Sequence, residues 1–165
     1  KSKAMGHPTY GRIISTSSEA FIFASTGQPN YAAAKAGIVA LTGSAAQALE
    51  RYGVTANTIM PRARTRMTSE GPTAAFFAAP EDGFDTFAPE HVAPLVGYLA
   101  SPVSERSSGN VYVIWGRSIR VLERPGFIAD FETAEDWTHE AVDQALTPWL
   151  ADRDPIRESF VVPPA

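Results

Sequence analysis

The sequence predicts an α/β fold in which parallel strands alternate with helices. Three short runs rich in β-branched and apolar residues have the length of strands that are covered on both faces. They are predicted at Gly11 to Ser17, Val54 to Met60 and Gly109 to Gly116. Helical patterns follow the first and the second run, and strands that alternate with helices pair in parallel. A layered α/β domain is therefore expected.

The first helix is predicted from Tyr31 to Tyr52. Its apolar residues recur every three or four positions, and Gly53 stands where helix ends favour glycine. The stripe predicted to face the sheet consists of Ala34, Ile38, Leu41, Ala45, Ala48 and Tyr52. Small residues away from this stripe are predicted to pack against another subunit; they are Ala32, Ala33, Ala36, Ala40 and Gly43.

A long excursion over a ligand site is predicted between the second strand, which Pro61 ends, and the next helix. This segment, Arg62 to Pro89, is rich in alanine, proline and glycine. Its acidic side chains are expected to be exposed; they are Glu81, Asp82 and Asp85. The helix that follows is predicted from Pro89 to Ser101, with a kink or a delayed start at Pro94.

The pattern changes near Arg117, where tryptophans and prolines are scattered among acidic residues. Residues 1–118 are predicted to form the main domain and residues 119–165 a C-terminal extension. The extension carries one amphipathic helix around Ala134 to Leu150, and it is expected to pack on the main layer or on a neighbouring subunit.

The amino-acid composition argues against several classes of function. The 165 residues are 44% apolar and carry 14 Lys and Arg against 18 Asp and Glu, a net charge of −4. Nucleic acid and anionic membranes attract proteins with a broad positive field, so neither partner is expected. No apolar run is long enough to span a bilayer. The three histidines lack the spacing of metal ligands and the chain has no cysteine, so no metal centre is expected. The lack of cysteine also fits a reducing compartment, so a cytoplasmic location is expected.

Three residues could form a catalytic group. Tyr31 and Lys35 lie one helical turn apart, so their polar heads can reach one ligand, and the charge of Lys35 would favour a phenolate. Ser18, thirteen residues before Tyr31, ends the first strand and could bind an alcohol or carbonyl oxygen. Such parts suit proton transfer to and from an alcohol. By spacing alone, however, the non-catalytic interpretation is favoured, with a helix-start tyrosine, a solvated lysine and a turn serine.

The wider pattern resembles the short-chain dehydrogenase/reductase family. The motifs are G-R-I-I-x-x-S-S, then G-Q-x-N-Y-x-A-A-K-A-G, then T-x-N-x-I-x-P, in the same order and spacing. The resemblance extends to about Ser118 and implies a Rossmann-like, doubly wound parallel sheet. Within the family, "PRARTRMT" (Pro61 to Thr68) and two later segments look most like (3R)-hydroxyacyl-CoA dehydrogenases of the multifunctional-enzyme type.

The resemblance implies specific roles. Tyr31 would be the general acid and base, Ser18 would position the substrate oxygen, and Lys35 would assist Tyr31 and bind the nicotinamide ribose. The segment after the second strand would lie along the nicotinamide through Pro61, Ala63 and the Thr65 hydroxyl. The implied cofactor is NAD or NADP, the implied substrate a small molecule such as an acyl-CoA, and the implied assembly a homodimer or homotetramer.

Two departures from the family pattern bear on activity. No two glycines are two residues apart, so the glycine-rich turn that binds the cofactor pyrophosphate cannot occur in these residues. Arg62 also replaces a glycine common after the proline. The sequence is therefore expected to be the C-terminal half of such an oxidoreductase. The alternative is a degenerate, non-catalytic member that serves as an assembly subunit.

Overall fold

The computed structural model describes residues 10–23, 27–70, 73–123, 125–151 and 153 of the 165 residues. Two compact units divide the chain, one ending at Glu123 and the other beginning at Arg124. The first unit contains the strands β1 (Gly11–Thr16), β2 (Val54–Pro61), β3 (Val111–Trp115) and β4 (Ser118–Val121) and the helices α1 (Pro29–Leu49) and α2 (Ala93–Ala100). The second unit contains α3 (His139–Leu150).

The four strands form one sheet in the order β1, β2, β3, β4. β2 pairs in parallel with both β1 and β3, which confirms the predicted α/β fold. β4 was not predicted; it returns antiparallel to β3 after a turn in which Gly116 has a φ of 48°. Its side chains are largely exposed, so it lacks the apolar pattern of a buried strand. The boundary predicted after Ser118 falls at its first residue.

Helices cover both faces of the sheet. Neighbouring residues of a strand point to opposite faces. Ile14 of β1 packs against the buried cluster of Ile59, Leu95, Leu99 and Ile114, to which α2 contributes. Ser15, next in the strand, accepts a hydrogen bond of 2.9 Å from Thr42 Oγ1 of α1. α1 therefore lies on one face and α2 on the other.

The stripe of α1 that contacts the sheet differs from the predicted one by one residue, or about 100° around the helix. Thr42 and Ala46 are buried, whereas Leu41 of the predicted stripe is 71% exposed. Thr42 hydrogen-bonds both Ser15 and the Ile38 carbonyl, so a polar residue docks the helix. The prediction was wrong because it ranked stripes by apolar content alone. The same rotation brings Lys35, seven residues before Thr42, toward β1.

The start of α2 is delayed to Ala93, next to Pro94, as one of the two predicted alternatives had it, whereas α3 begins later than predicted. The chain forms a 3-10 turn over Pro89–Val92 before α2 starts at Ala93, with Pro94 in the first turn, where its missing N–H costs nothing. α3 starts at His139 rather than near Ala134, because the Thr138 hydroxyl accepts a 3.1 Å hydrogen bond from the Ala141 N–H and caps the helix. In the described residues, no helix has the length and apolarity to cross a bilayer.

Candidate active site

The carboxyl end of β1 presents a serine pair, Ser17 and Ser18. Ser18 has extended backbone angles, and its hydroxyl accepts a 3.2 Å hydrogen bond from the Ala20 N–H at the start of a 3-10 turn over Glu19–Phe21. A serine hydroxyl has one proton to donate in addition to its lone pairs. The backbone contact uses a lone pair, and Ser18 Oγ donates to no other group among the described residues, so its proton can be donated to a ligand oxygen.

Lys35 lies at the same end of β1. Ser17 Oγ donates a 2.7 Å hydrogen bond to the Lys35 carbonyl, and Lys35 Nζ donates a 3.2 Å bond to the Thr16 carbonyl. Backbone and side chain of Lys35 are thus both tied to the strand that leads into Ser18. The ammonium has three donors, of which the Thr16 contact uses one.

Tyr31 completes the predicted group. Its ring centroid lies 5.5 Å from Lys35 Nζ, within the range of a cation–π contact, and its side chain is 43% exposed. The structure therefore joins Tyr31 to Lys35, and Lys35 to the strand end beside Ser18. Ligands of open parallel sheets bind at the carboxyl ends of the strands, which is where these contacts lie. The catalytic roles of the three residues remain predictions.

The predicted cofactor segment follows β2. Pro61 is the last residue of β2 rather than a stop before it, because its position pairs with Ile114. A compact loop comes next, in which the Thr68 hydroxyl accepts from the Thr65 N–H at 2.7 Å and lies 3.3 Å from the Ala63 carbonyl. Thr65 is exposed, and its hydroxyl accepts a 3.3 Å hydrogen bond from the Thr68 N–H.

An ion pair that the sequence did not predict joins the ends of β1 and β2. Arg62 Nε and Nη2 donate bonds of 2.5 and 2.7 Å to the two carboxylate oxygens of Glu19, and the guanidinium lies 4.4 Å from the Trp115 ring centroid. The parallel register could have revealed it. Thr16 pairs with Ile59, so Glu19 and Arg62 each stand three residues beyond paired positions.

A second ion pair, between Arg64 and Asp85, organises the excursion after β2. Arg64 also donates a 3.2 Å bond to the Phe77 carbonyl, and its N–H donates a 2.7 Å bond to the Phe87 carbonyl. The Arg64 hydrogen bond holds the pKa of the Asp85 carboxyl below its usual value, although desolvation opposes this effect. Asp85 is thus not the free, exposed carboxylate that was predicted.

The Asp85 pairing predicts a stability that depends on pH. A carboxyl whose pKa is lower in the folded than in the unfolded chain stabilises the fold above its unfolded pKa of about 3.9, and the effect is lost as pH falls through the folded pKa. We expect Asp85→Asn to lower the melting temperature near pH 7 and the difference from wild type to shrink below about pH 4. Asp82→Asn, at an exposed position of the same segment, is the control. Equal melting temperatures of wild type and Asp85→Asn near pH 7 would contradict the stabilising role.

The side chains that commonly bind metals in proteins are those of histidine, cysteine, aspartate and glutamate. Within the described ranges, no group of three or more histidine, cysteine, aspartate or glutamate side chains is placed to hold a metal ion.

Comparison with known proteins points to one family. Residues 2–73 match the short chain dehydrogenase family. The chain is 43% identical to hydroxyacyl-CoA dehydrogenase ChsB1 of Mycobacterium tuberculosis over 161 residues, which is 95% of this chain and 49% of that protein. It is 39% identical to peroxisomal multifunctional enzyme type 2 of Mus musculus over 105 residues, which is 64% of this chain and 13% of that enzyme.

Solved structures of short chain dehydrogenases and related enzymes are also similar to this chain. A short chain dehydrogenase from Mycobacterium avium superposes with a TM-score of 0.78 at 34% identity, covering 96% of this chain and 51% of that one. Full-length peroxisomal multifunctional enzyme type 2 from Drosophila melanogaster gives a TM-score of 0.62 at 28% identity, covering 88% of this chain and 25% of that one. The chain thus spans about half the length of the first relative in each comparison, or less of the longer ones. The match over residues 2–73 and the parallel sheet thus make the chain similar to members of the short chain dehydrogenase family.

Proposed function

We propose that this chain is the C-terminal half of an NAD(P)-dependent oxidoreductase that interconverts a secondary alcohol and a ketone. One observation carries the proposal: the Lys35 ammonium is anchored at the carboxyl end of β1 by the Thr16 carbonyl, beside the exposed ring of Tyr31. A solvated lysine would not need such an anchor, and a tyrosine in the core would not be exposed. The arrangement is that of an acid and base group open to a ligand.

The proposed roles follow from the chemistry of each side chain. Tyr31 accepts the proton of the alcohol during oxidation and returns it during reduction. The positive charge of Lys35 balances the negative charge of the Tyr31 phenolate, the form that accepts the proton in oxidation and is left after reduction. Ser18 donates its free hydroxyl proton to the substrate oxygen and so orients it. Each of these steps needs only groups at the end of β1 and the start of α1.

The residues present suit one end of a dinucleotide. Lys35 has two further donors for ribose hydroxyls, and Pro61, Ala63 and Thr65 line the loop that leaves the carboxyl end of β2. When bound, the nicotinamide would supply the hydride acceptor for alcohol oxidation. The sequence contains no G-x-G to hold the pyrophosphate, so we propose that other residues of the full-length protein bind that part.

The relatives suggest the substrate class. One is named a hydroxyacyl-CoA dehydrogenase, and another, with 36% identity over 111 residues, is 3-oxoacyl-[acyl-carrier-protein] reductase FabG of Vibrio cholerae. The first name denotes a hydroxyl on an acyl chain carried by CoA, and the second denotes a ketone at carbon 3 of an acyl chain carried by acyl-carrier protein. We therefore propose a 3-hydroxyacyl-CoA or a similar hydroxy compound as the substrate.

The test is an activity assay of the full-length protein. (3R)- and (3S)-hydroxyacyl-CoA esters are supplied with NAD or NADP, and absorbance of the reduced nicotinamide is followed. Oxidation of one enantiomer with one cofactor is the expected result. If no hydroxyacyl-CoA is oxidised and no 3-ketoacyl-CoA is reduced, the substrate class is wrong.

A non-catalytic assembly subunit is the second candidate. It is favoured by the lack of a G-x-G turn and by Arg62 in place of a small residue next to the predicted cofactor segment. The two candidates differ in one measurement, because a subunit used only for assembly would bind no nicotinamide. A fluorescence titration of the full-length protein with NADH separates them.

Assembly through α1 is proposed for either candidate. Of the small residues predicted to face a partner, Ala33 and Ala40 are exposed, whereas the others are half-buried; these are Ala32, Ala36 and Gly43. Leu41 is 71% exposed and lies on the same outer side of α1 as Ala33 and Ala40. We expect Leu41→Glu to shift a homodimer or homotetramer toward monomers, because a charge would be buried where helices approach closely. Sedimentation velocity at micromolar concentration measures this shift. Val103→Glu, at an apolar position outside α1 that is 74% exposed, is the control, and an unchanged sedimentation coefficient for Leu41→Glu would exclude this face.

The remaining proposals concern the protein's partners and its location in the cell. A net charge of −4 offers no broad attraction to nucleic acid or anionic membranes, so we propose a small-molecule substrate rather than either partner. A cytoplasmic location is proposed from the lack of cysteine, although several relatives are named as peroxisomal.

A further inference from the structure

The ion pair between Arg62 and Glu19 lies between Ser18 and the predicted cofactor segment. Glu19 follows Ser18 directly, and Arg62 follows Pro61 at the start of the predicted cofactor segment. Their two hydrogen bonds, 2.5 and 2.7 Å long, form the bidentate geometry that gives arginine–carboxylate pairs their directional strength. The side chains are only 22% and 13% exposed, so solvent screens this pair less than it would a surface pair.

Both partners are fixed by other contacts. The Arg62 N–H donates a 2.9 Å bond to the Ile114 carbonyl of β3, and its guanidinium lies on Trp115 of the same strand. Glu19 opens the 3-10 turn that Ser18 caps. The ion pair therefore connects the turn of Ser18 to the rigid ends of β2 and β3.

We propose that Glu19 and Arg62 are positioning residues that hold the Ser18 hydroxyl in register with the segment Pro61 to Thr65. This inference rests on the proposed function, in which Ser18 orients the substrate oxygen and the segment after β2 borders the nicotinamide. Hydride transfer requires both reactants at a fixed separation, and a displacement of about 1 Å can reduce the rate about 100-fold. A bidentate pair between the two segments limits that displacement.

Arg62 also has a reason to be arginine rather than glycine. A glycine at this position would leave the Glu19 carboxylate partly buried without a partner, which is unfavourable. Lysine would keep the charge but could not form the two parallel bonds. The departure from the family's glycine is thus matched by an acidic residue that its side chain reaches.

The test is a double-mutant cycle in the full-length enzyme with Glu19→Gln, Arg62→Gln and the double variant. We expect each single variant to lose about tenfold or more in kcat, with a smaller change in KM, and the double variant to be no worse than the poorer single. The primary deuterium isotope effect on kcat should rise in each variant, because hydride transfer becomes slower relative to product release. A residue that only stabilised the fold would lower the melting temperature without raising the isotope effect.

Glu105→Gln, at an exposed carboxylate outside the site, is the control and should match wild type. If wild type is active and the Glu19 and Arg62 variants keep kcat and isotope effects within twofold of it, or if their losses simply add, the positioning role is wrong and the proposed function stands. A wild-type protein without oxidoreductase activity would instead overturn the proposed function, and the positioning role with it.

Discussion

Replacing Tyr31 by phenylalanine is expected to lower kcat by roughly 10²–10⁴-fold, the usual contribution of a general acid and base. The change removes the phenolic hydroxyl and keeps the ring, which lies 5.5 Å from Lys35 Nζ. The ring contact with Lys35 and the anchor of Lys35 on Thr16 should therefore survive. Affinity for the nicotinamide cofactor should change little, so the loss should fall on the chemical step.

Steady-state rates and an NADH titration of the full-length variant measure the two parts of this prediction. Tyr98→Phe is the matched control, because Tyr98 lies on α2 with its side chain 48% exposed. An unchanged rate for Tyr31→Phe would show that another group transfers the proton. A large loss of NADH affinity would show that Tyr31 binds the cofactor rather than acting on the substrate.

Much of the fold could be predicted from strand-length runs and helix signals. β1, β2 and β3 lie where those runs occur, because strands buried on both faces have dense apolar and β-branched residues. The inner face of α1 could not be predicted in this way. Thr42 docks the helix on Ser15, and a hydroxyl that is satisfied in the structure looks like a solvent-facing residue in the sequence.

Some contacts of the candidate site could likewise be predicted from the sequence, and others could not. The spacing of Tyr31 and Lys35 follows from helix geometry, so their proximity could be predicted. The pairing of Glu19 with Arg62 depends on the register between β1 and β2, which brings residues 43 positions apart into contact. Periodicity describes one element at a time, so contacts between strand ends become predictable only after the register is known.

The structure explains the asparagine of the motif T-x-N-x-I-x-P in β2 by its hydrogen bonds. Asn57 is only 1% exposed, and its Nδ2 donates a 2.7 Å bond to the Ser107 carbonyl. Its Oδ1 accepts from Ser107 Oγ at 3.2 Å and from the Asn110 N–H at 3.1 Å. The buried Asn57 amide thus hydrogen-bonds polar groups of Ser107 and Asn110 in the turn that leads into β3, and it holds that turn against β2.

Asn57→Ala is expected to lower the free energy of unfolding by roughly 2–4 kcal/mol, because it leaves buried backbone groups of Ser107 and Asn110 without partners and opens a small cavity. Urea denaturation of the full-length protein measures the loss. Asn110→Ala is the matched control: the contact of Asn110 uses its backbone N–H, which the substitution keeps, so its stability should stay near that of wild type. If Asn57→Ala were as stable as that control, the buried amide would not hold β3 against β2. Since β2 ends at Pro61, next to Arg62, a true loss should also reduce activity at temperatures below the melting transition.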